Sequence, residues 1–178
     1  TLAMPLEGKL FPDTYLIPRD FSAEELVVLL NETFETRIKP LRPAIENSDF
    51  TEYEILTIAS IIEREANSKN SMRMVAGIIN NRIEEGMPLQ LDASIEYVLG
   101  KPLSELTAED LKQNSPYNTY INLGLPPTPI GNPGITAIEA VLEPEENNYL
   151  FYLTGRDGNF YYATNFAQHQ FNINNYLR

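Results

Sequence analysis

Apolar residues recur at helical spacing in three consecutive stretches of the chain. Leu26, Leu29, Leu30 and Phe34 mark one face of a segment running to about Arg37. Ser22 and Glu25 supply a capping box at its start, and Pro40 and Pro43 end it. Ile55, Leu56, Ile58, Ile61 and Ile62 mark a second helix, from about Thr51 to Asn67. Val75, Ile78, Ile79 and Ile83 mark a third, with Ser71 as its expected cap and Gly86 just past its last turn. Shorter helical patterns cover Thr136–Leu142, stopped by Pro144, and Ala167–Leu177. Two strand-like runs, Tyr149–Thr154 and Phe160–Thr164, flank Gly155-Arg-Asp-Gly158 and predict a hairpin. Residues 6–20 set Gly8, Pro12 and Pro18 among alternating apolar positions, which suits short strands and turns. The pattern predicts an α+β fold: a central helical block with short strands from the N- and C-terminal parts.

Residues 115–134 fit neither period. Pro116, Pro126, Pro127, Pro129 and Pro133, with Gly124, Gly131 and Gly134, exclude a helix or a central strand. A loop of this length in a compact domain is usually functional or disordered, and Tyr117, Tyr120 and Ile130 argue for an ordered one.

Composition narrows the function classes. The 178 residues fit one domain with a true core, and 43% hydrophobic against 21% charged residues excludes an intrinsically disordered chain. A formal net charge of −12 makes the chain a poor candidate for gripping a phosphate backbone, so nucleic acid is not an expected partner. There is no cysteine and one histidine, so zinc-thiolate and multi-histidine metal sites are excluded and no metal or cofactor is expected. No run approaches the ~20 apolar residues that cross a bilayer. The opening Thr1-Leu-Ala3, without an initiator methionine, reads as the start of an excised piece whose membrane anchor has been removed.

Two acids sit inside the apolar pattern of the second helix, in Ala59-Ser-Ile-Ile-Glu-Arg-Glu-Ala66. At about 100° per residue, Glu65 lies on the flank of Ile58, Ile61 and Ile62, and Glu63 lies nearer Leu56, Ala59 and Ser60. Counted equally, the apolar residues place both acids about as far from the stripe's centre; weighting the large aliphatics favours Glu65. A carboxyl against an apolar wall holds its proton to higher pH, as a general acid requires. The plain alternative is a surface pair between Glu65 and Lys69, worth a few tenths of a kcal/mol. In Leu89-Gln-Leu-Asp92, Gln90 and Asp92 share one face of an extended segment, where they can bond sugar hydroxyls. Taken alone, Asp92 reads as the cap of a short helix Ala93–Leu99. Tyr117, Asn118 and Thr119 in the stiff loop suit a sugar's apolar faces and hydroxyls, or simply pack on the core. His169, a lone histidine, reads as a site residue, a cap or a surface residue.

Taken in order, several stretches resemble the MltG (YceG-like) family of endolytic murein transglycosylases. They are Glu7-Gly-Lys-Leu-Phe-Pro-Asp-Thr-Tyr15, Ala59-Ser-Ile-Ile-Glu-Arg-Glu65, Val75-Ala-Gly-Ile-Ile-Asn-Asn-Arg82 and Gly86-Met-Pro-Leu-Gln-Leu-Asp92. Tyr117-Asn-Thr-Tyr120, Gly124-Leu-Pro-Pro127, Ile130-Gly-Asn-Pro-Gly134 and Gln168-His169 continue the set over nearly the whole chain. The chain departs at Leu91-Asp92-Ala93, where the family usually has Thr-Asp-Pro, and at Phe160, where a histidine often stands.

The resemblance implies one catalytic domain over residues 1–178, with Glu65 as the catalytic acid and Gln90, Asp92, Tyr117, Asn118, Thr119, Glu7 and His169 as substrate-binding residues. It implies a bacterial protein at the extracytoplasmic face of the cell membrane, with a transmembrane helix and a LysM-like segment ahead of residue 1. Its partners would be peptidoglycan glycan strands and, in the wider machinery, peptidoglycan synthases. The implied reaction cleaves the β-1,4 bond after N-acetylmuramic acid and closes its 6-hydroxyl onto C1. Two rival readings stand beside it: a hydrolytic muramidase with Asp92, Glu63 or Glu7 as base, and a non-catalytic glycan-binding or scaffold domain.

Overall fold

The structure, a computed structural model, describes residues 6–177. Its helices are α1 (Ala23–Ile38), α2 (Arg42–Glu46), α3 (Glu52–Glu65), α4 (Lys69–Glu84), α5 (Asp92–Leu99), α6 (Ile135–Leu142) and α7 (Phe166–Asn172). A π turn over Ile173–Leu177 extends α7. Strands β1 (Phe151–Thr154) and β2 (Phe160–Ala163) form an antiparallel hairpin in which Tyr152 faces Tyr162. The α+β class and the C-terminal hairpin are as the sequence predicts.

Helix α3 is the axis of the core. Thr51 and Glu54 close a capping box at its start, and every residue from Ile55 to Ile62 is buried. A helix apolar all round belongs inside a protein rather than on its surface. Each of its large aliphatics contributes about 1.5–3 kcal/mol by leaving water. Helix α6 packs against both α3 and α4, adding Ala137, Ile138, Ala140 and Val141 to the core.

Helix α4 begins earlier than its apolar pattern suggests. Ser68, not Ser71, is the cap: it holds extended backbone, and its hydroxyl accepts the Ser71 N–H at 3.2 Å. Ser71 sits inside the first turn and accepts the Ser68 N–H in return, also at 3.2 Å. Gly77 lets this helix approach the chain ahead of the hairpin. A Cβ there would lie 2.3 Å from the Glu145 carbonyl oxygen, closer than a methyl group tolerates. Asn81 then bonds the Tyr149 carbonyl at 2.9 Å, so α4 orients the strand that follows.

Residues 6–20 form turns and extended chain without the short strands expected there. The N–H groups of Gly8 and Leu10, which a ladder would use, both donate to Oδ1 of Asn132, at 2.8 and 3.0 Å. The proline-rich loop thus holds the N-terminal segment through one side chain. The same loop is pinned to α3, where Ser60 Oγ accepts the Ile130 N–H at 3.0 Å.

Candidate active site

The last turn of α3, the start of α5, the segment Leu89–Gln90 and the hairpin surround a cavity of about 520 Å³. Glu65, Gln90, Asp92 and His169 all line it. Four candidates distant in sequence therefore meet in one place.

Glu65 and Asp92, the two acids among them, are both half-buried. Oε2 of Glu65 accepts the Tyr152 hydroxyl at 2.9 Å. Burial pushes its pKa above the ordinary carboxylate value, the Tyr152 bond opposes that rise, and the nearby charges of Asp92 and Glu96 add to it. The Glu65–Lys69 pair does not form, because Lys69 reaches Glu139 instead, at 3.0 Å. Glu63 is exposed and accepts the Gly134 N–H at 3.0 Å, placing its charge at the N-terminus of α6. That is a structural use of an acid.

Asp92 does not cap α5. The helix starts at Asp92 itself and Leu91 is its uncapped N-cap residue, because the Asp92 carboxylate is turned to accept the Tyr120 hydroxyl. Gln90 is exposed and carries φ +52°, the one non-glycine residue with positive φ among those described. Non-glycine residues tolerate this region at a cost of about 1–2 kcal/mol, and such strain concentrates at functional positions. The Gln90 N–H donates to the Thr119 carbonyl at 2.9 Å, which holds the strained turn.

Four other candidates stand outside the lining. Asn118 is fully buried: its amide donates to the carbonyls of Leu111 and Gln113 at 3.0 and 2.8 Å, and its Oδ1 accepts the Tyr120 N–H at 2.9 Å. Thr119 is also buried, and its hydroxyl accepts the Leu91 N–H at 2.8 Å. Both build the frame behind Gln90, Asp92 and Tyr120, and their polar atoms are committed to it. The Tyr117 hydroxyl meets Thr128 at 2.8 Å, and its ring lies 5.2 Å from that of Tyr97. Glu7 accepts the Tyr97 hydroxyl at 2.6 Å, and that bond pushes the Tyr97 pKa up to about 12.

Three further lining residues, outside the site residues named from sequence, hold the site together. Tyr120 and Tyr152 are the hydroxyl donors to the two carboxylates. Arg82 is buried; its Nε donates to the Leu150 carbonyl at 2.6 Å and its Nη1 to those of Leu89 at 2.6 Å and Pro88 at 3.2 Å. Its guanidinium also lies 5.2 Å from the centre of the Phe151 ring. Arg82 therefore ties α4 to the turn bearing Gln90 and to the entry of β1. Its signal was legible: Val75, Ile78, Ile79 and Arg82 follow the i, i+3, i+4, i+7 rule, so an arginine sits on a buried face.

His169 stacks on Phe151 at 5.2 Å, and its Nδ1 is buried without a hydrogen-bond partner. Burial and the Arg82 charge lower its pKa, so it is neutral in the neutral range. Among the described residues no three His, Cys, Asp or Glu side chains group as a metal would require, and no helix is long and apolar enough to cross a membrane.

A second cavity of about 400 Å³ lies between Phe50, Tyr53 and the Pro126-Pro127 turn. Its one acid, Glu54, is occupied in the α3 capping box.

These features define an α+β domain with a carboxyl of raised proton affinity, Glu65, in a hairpin-walled cleft. The chain belongs to the YceG-like family, whose model matches residues 1–175. It is 34% identical over 166 residues to an endolytic murein transglycosylase of Bacillus subtilis, covering 93% of this chain and 46% of that protein. A Streptococcus pneumoniae protein of the same name is 34% identical over 174 residues, covering 94% of this chain and 32% of that protein. A solved YceG-like protein from Listeria monocytogenes superposes with a TM-score of 0.88 at 37% identity, over 95% of this chain and 56% of that one. The chain thus spans about half or less of the length of these two transglycosylases.

Proposed function

We propose that this domain cleaves peptidoglycan glycan strands internally, as a lytic transglycosylase, with Glu65 serving as acid and then as base. The observation that carries the reading is the placement of Glu65: a carboxyl with raised proton affinity facing an open cavity of about 520 Å³. Its relatives are named endolytic murein transglycosylases, which supports glycan strands as substrate. Action at the extracytoplasmic face of the membrane, where that polymer is found, is part of the same proposal.

In this reading Glu65 donates its proton to the glycosidic oxygen as the bond from C1 of N-acetylmuramic acid breaks. The same sugar's 6-hydroxyl then attacks C1 and gives its proton to the Glu65 carboxylate, restoring the acid and leaving a 1,6-anhydro end. No water is consumed. An internal hydroxyl already held near C1 supplies the proximity advantage that an ordinary glycosidase obtains by activating water with a second carboxylate. Gln90 and His169 face the same cavity and would meet sugar hydroxyls or acetamido groups. Glycan-strand synthases are the partners that such an activity would serve.

One observation favours keeping the hydrolytic alternative in the test: Asp92 shares the cavity with Glu65. Glu63 and Glu7 are committed elsewhere, so a hydrolase here would use Asp92 as its base. Digestion of purified glycan strands in ¹⁸O-water, followed by mass spectrometry, separates the readings. We expect anhydro ends without label. Labelled reducing ends would establish hydrolysis, and uncut strands would leave a binding domain.

A further inference from the structure

We infer that Tyr152 is the positioning residue of this site: its hydroxyl, 2.9 Å from Oε2 of Glu65, fixes the orientation of the acid and keeps it able to exchange its proton in both directions. The inference rests on the reading of Glu65 as acid and base.

The geometry starts with how firmly Tyr152 is held. It lies between Phe151, over which Arg82 is placed, and Leu153, which is buried in the core. Arg82 also grips the Leu150 carbonyl two residues ahead, at 2.6 Å. Across the hairpin Tyr152 pairs with Tyr162, and its ring stacks with Phe160 at 6.2 Å. The hydroxyl is therefore delivered by a clamped strand rather than by a free side chain.

Around Glu65 the charged and titratable groups come from every packed element. Asp92 and Glu96 approach from α5, with Glu96 paired to Arg64. Tyr120 enters from the loop, Arg82 from α4 and His169 from α7. Burial and the two α5 acids all favour the protonated carboxyl. Tyr152 makes the one side-chain hydrogen bond to Glu65 among the described residues, and it works against them, with a smaller contribution in the same direction from the Ala93 N–H. A hydrogen bond to an ionised acceptor is stronger than one to its neutral form, so the hydroxyl stabilises the carboxylate that must take the second proton. Tyr152 stays protonated throughout the working range, since burial and the Glu65 charge hold its own pKa well above the ordinary phenol value. It acts as a fixed donor and not as a base.

Tyr152→Phe removes one oxygen and keeps the ring, so the fold should survive. We expect kcat on glycan strands to fall roughly tenfold with KM little changed, as loss of one oriented hydrogen bond would give. We also expect the alkaline limb of the pH–rate profile, which reports the essential acid, to move to higher pH. Tyr161→Phe is the control: that hydroxyl bonds Asp157 away from the cavity and its loss should leave the profile in place. A ¹³C NMR titration of the Glu65 carboxyl gives the same answer without turnover, with a higher midpoint in Tyr152→Phe. An unmoved limb and midpoint would overturn the inference, whatever happens to kcat, because a packing role alone lowers activity without moving either. Glu65→Gln separates the two levels. If that variant still cleaves, the reading of Glu65 fails; if it is inactive while Tyr152→Phe titrates as wild type, only the role of Tyr152 fails.

Discussion

Glu63 and Glu65 lie two positions apart at the end of α3, and their carboxylates serve different elements. Glu63 accepts the Gly134 N–H at the start of α6, and Glu65 accepts the Tyr152 hydroxyl inside the cavity. We therefore expect Glu65→Gln to abolish glycan cleavage with the fold intact, because the amide matches the acid in shape but carries no transferable proton. Glu63→Gln should keep most of its activity and lose about 0.3–1 kcal/mol of stability, the usual worth of an acid at a helix N-terminus. Urea unfolding and a strand-cleavage assay on both variants check this. An inactive Glu63→Gln beside an active Glu65→Gln would reverse the assignment.

The burial that raises the proton affinity of Glu65 has a stability consequence. Its folded-state pKa lies above the ordinary value of 4.5, so between those two values the native chain binds more protons than the unfolded one. Stability then falls as pH rises from about 4.5 through the raised pKa. Removing the charge should make Glu65→Gln more thermally stable than wild type at neutral pH, with the gain vanishing in acid. Melting curves across that range decide it: a variant with equal or lower Tm at neutral pH would mean that the Tyr152 bond outweighs the cost of burial.

Much of the helical frame was legible, because capping boxes and apolar stripes are local. The box at Ser22 is readable in the sequence, and α3 begins where its apolar pattern does, at a second box not predicted from sequence, Thr51 with Glu54. The α4 cap was displaced to Ser68 because two serines three residues apart satisfy the same box. The N-terminal strands failed for a nonlocal reason, since Asn132 takes the N–H groups they needed. Of the candidate site residues named from sequence, Glu65, Gln90, Asp92 and His169 come to one cavity. Tyr152 could not be named, because its partner lies 87 positions away and nothing in its strand's alternation marks a hydroxyl as functional. Asn118 and Thr119 look the same in sequence whether an amide or hydroxyl meets a sugar or a backbone. Only burial separates the two.

That distinction can be measured at Thr119. Thr119→Val keeps the shape and removes the acceptor for the Leu91 N–H. Leaving that buried donor unpaired should cost about 1–3 kcal/mol. Activity should fall as well, because Leu91, which stands between Gln90 and Asp92, loses its side-chain brace, although Thr119 lies outside the cavity lining. Glycan affinity at full activity together with normal stability would show that the bond is not the brace it looks like.

Gln90 offers the cleanest separation of backbone from side chain. Its φ of +52° is unfavourable for any residue with a Cβ. Alanine keeps that strain and removes the amide. Glycine removes both, at a cost of about 0.5–1 kcal/mol in unfolded-chain freedom against about 1–2 kcal/mol of strain relieved. Gln90→Gly should thus be at least as stable as wild type and more stable than Gln90→Ala. If the side chain meets the glycan across the cavity, both variants should raise KM to a similar degree. A wild-type KM in both would remove Gln90 from the binding surface. A defect confined to the glycine variant would show instead that the strained turn, through its bond to Thr119, is what the site requires at this position.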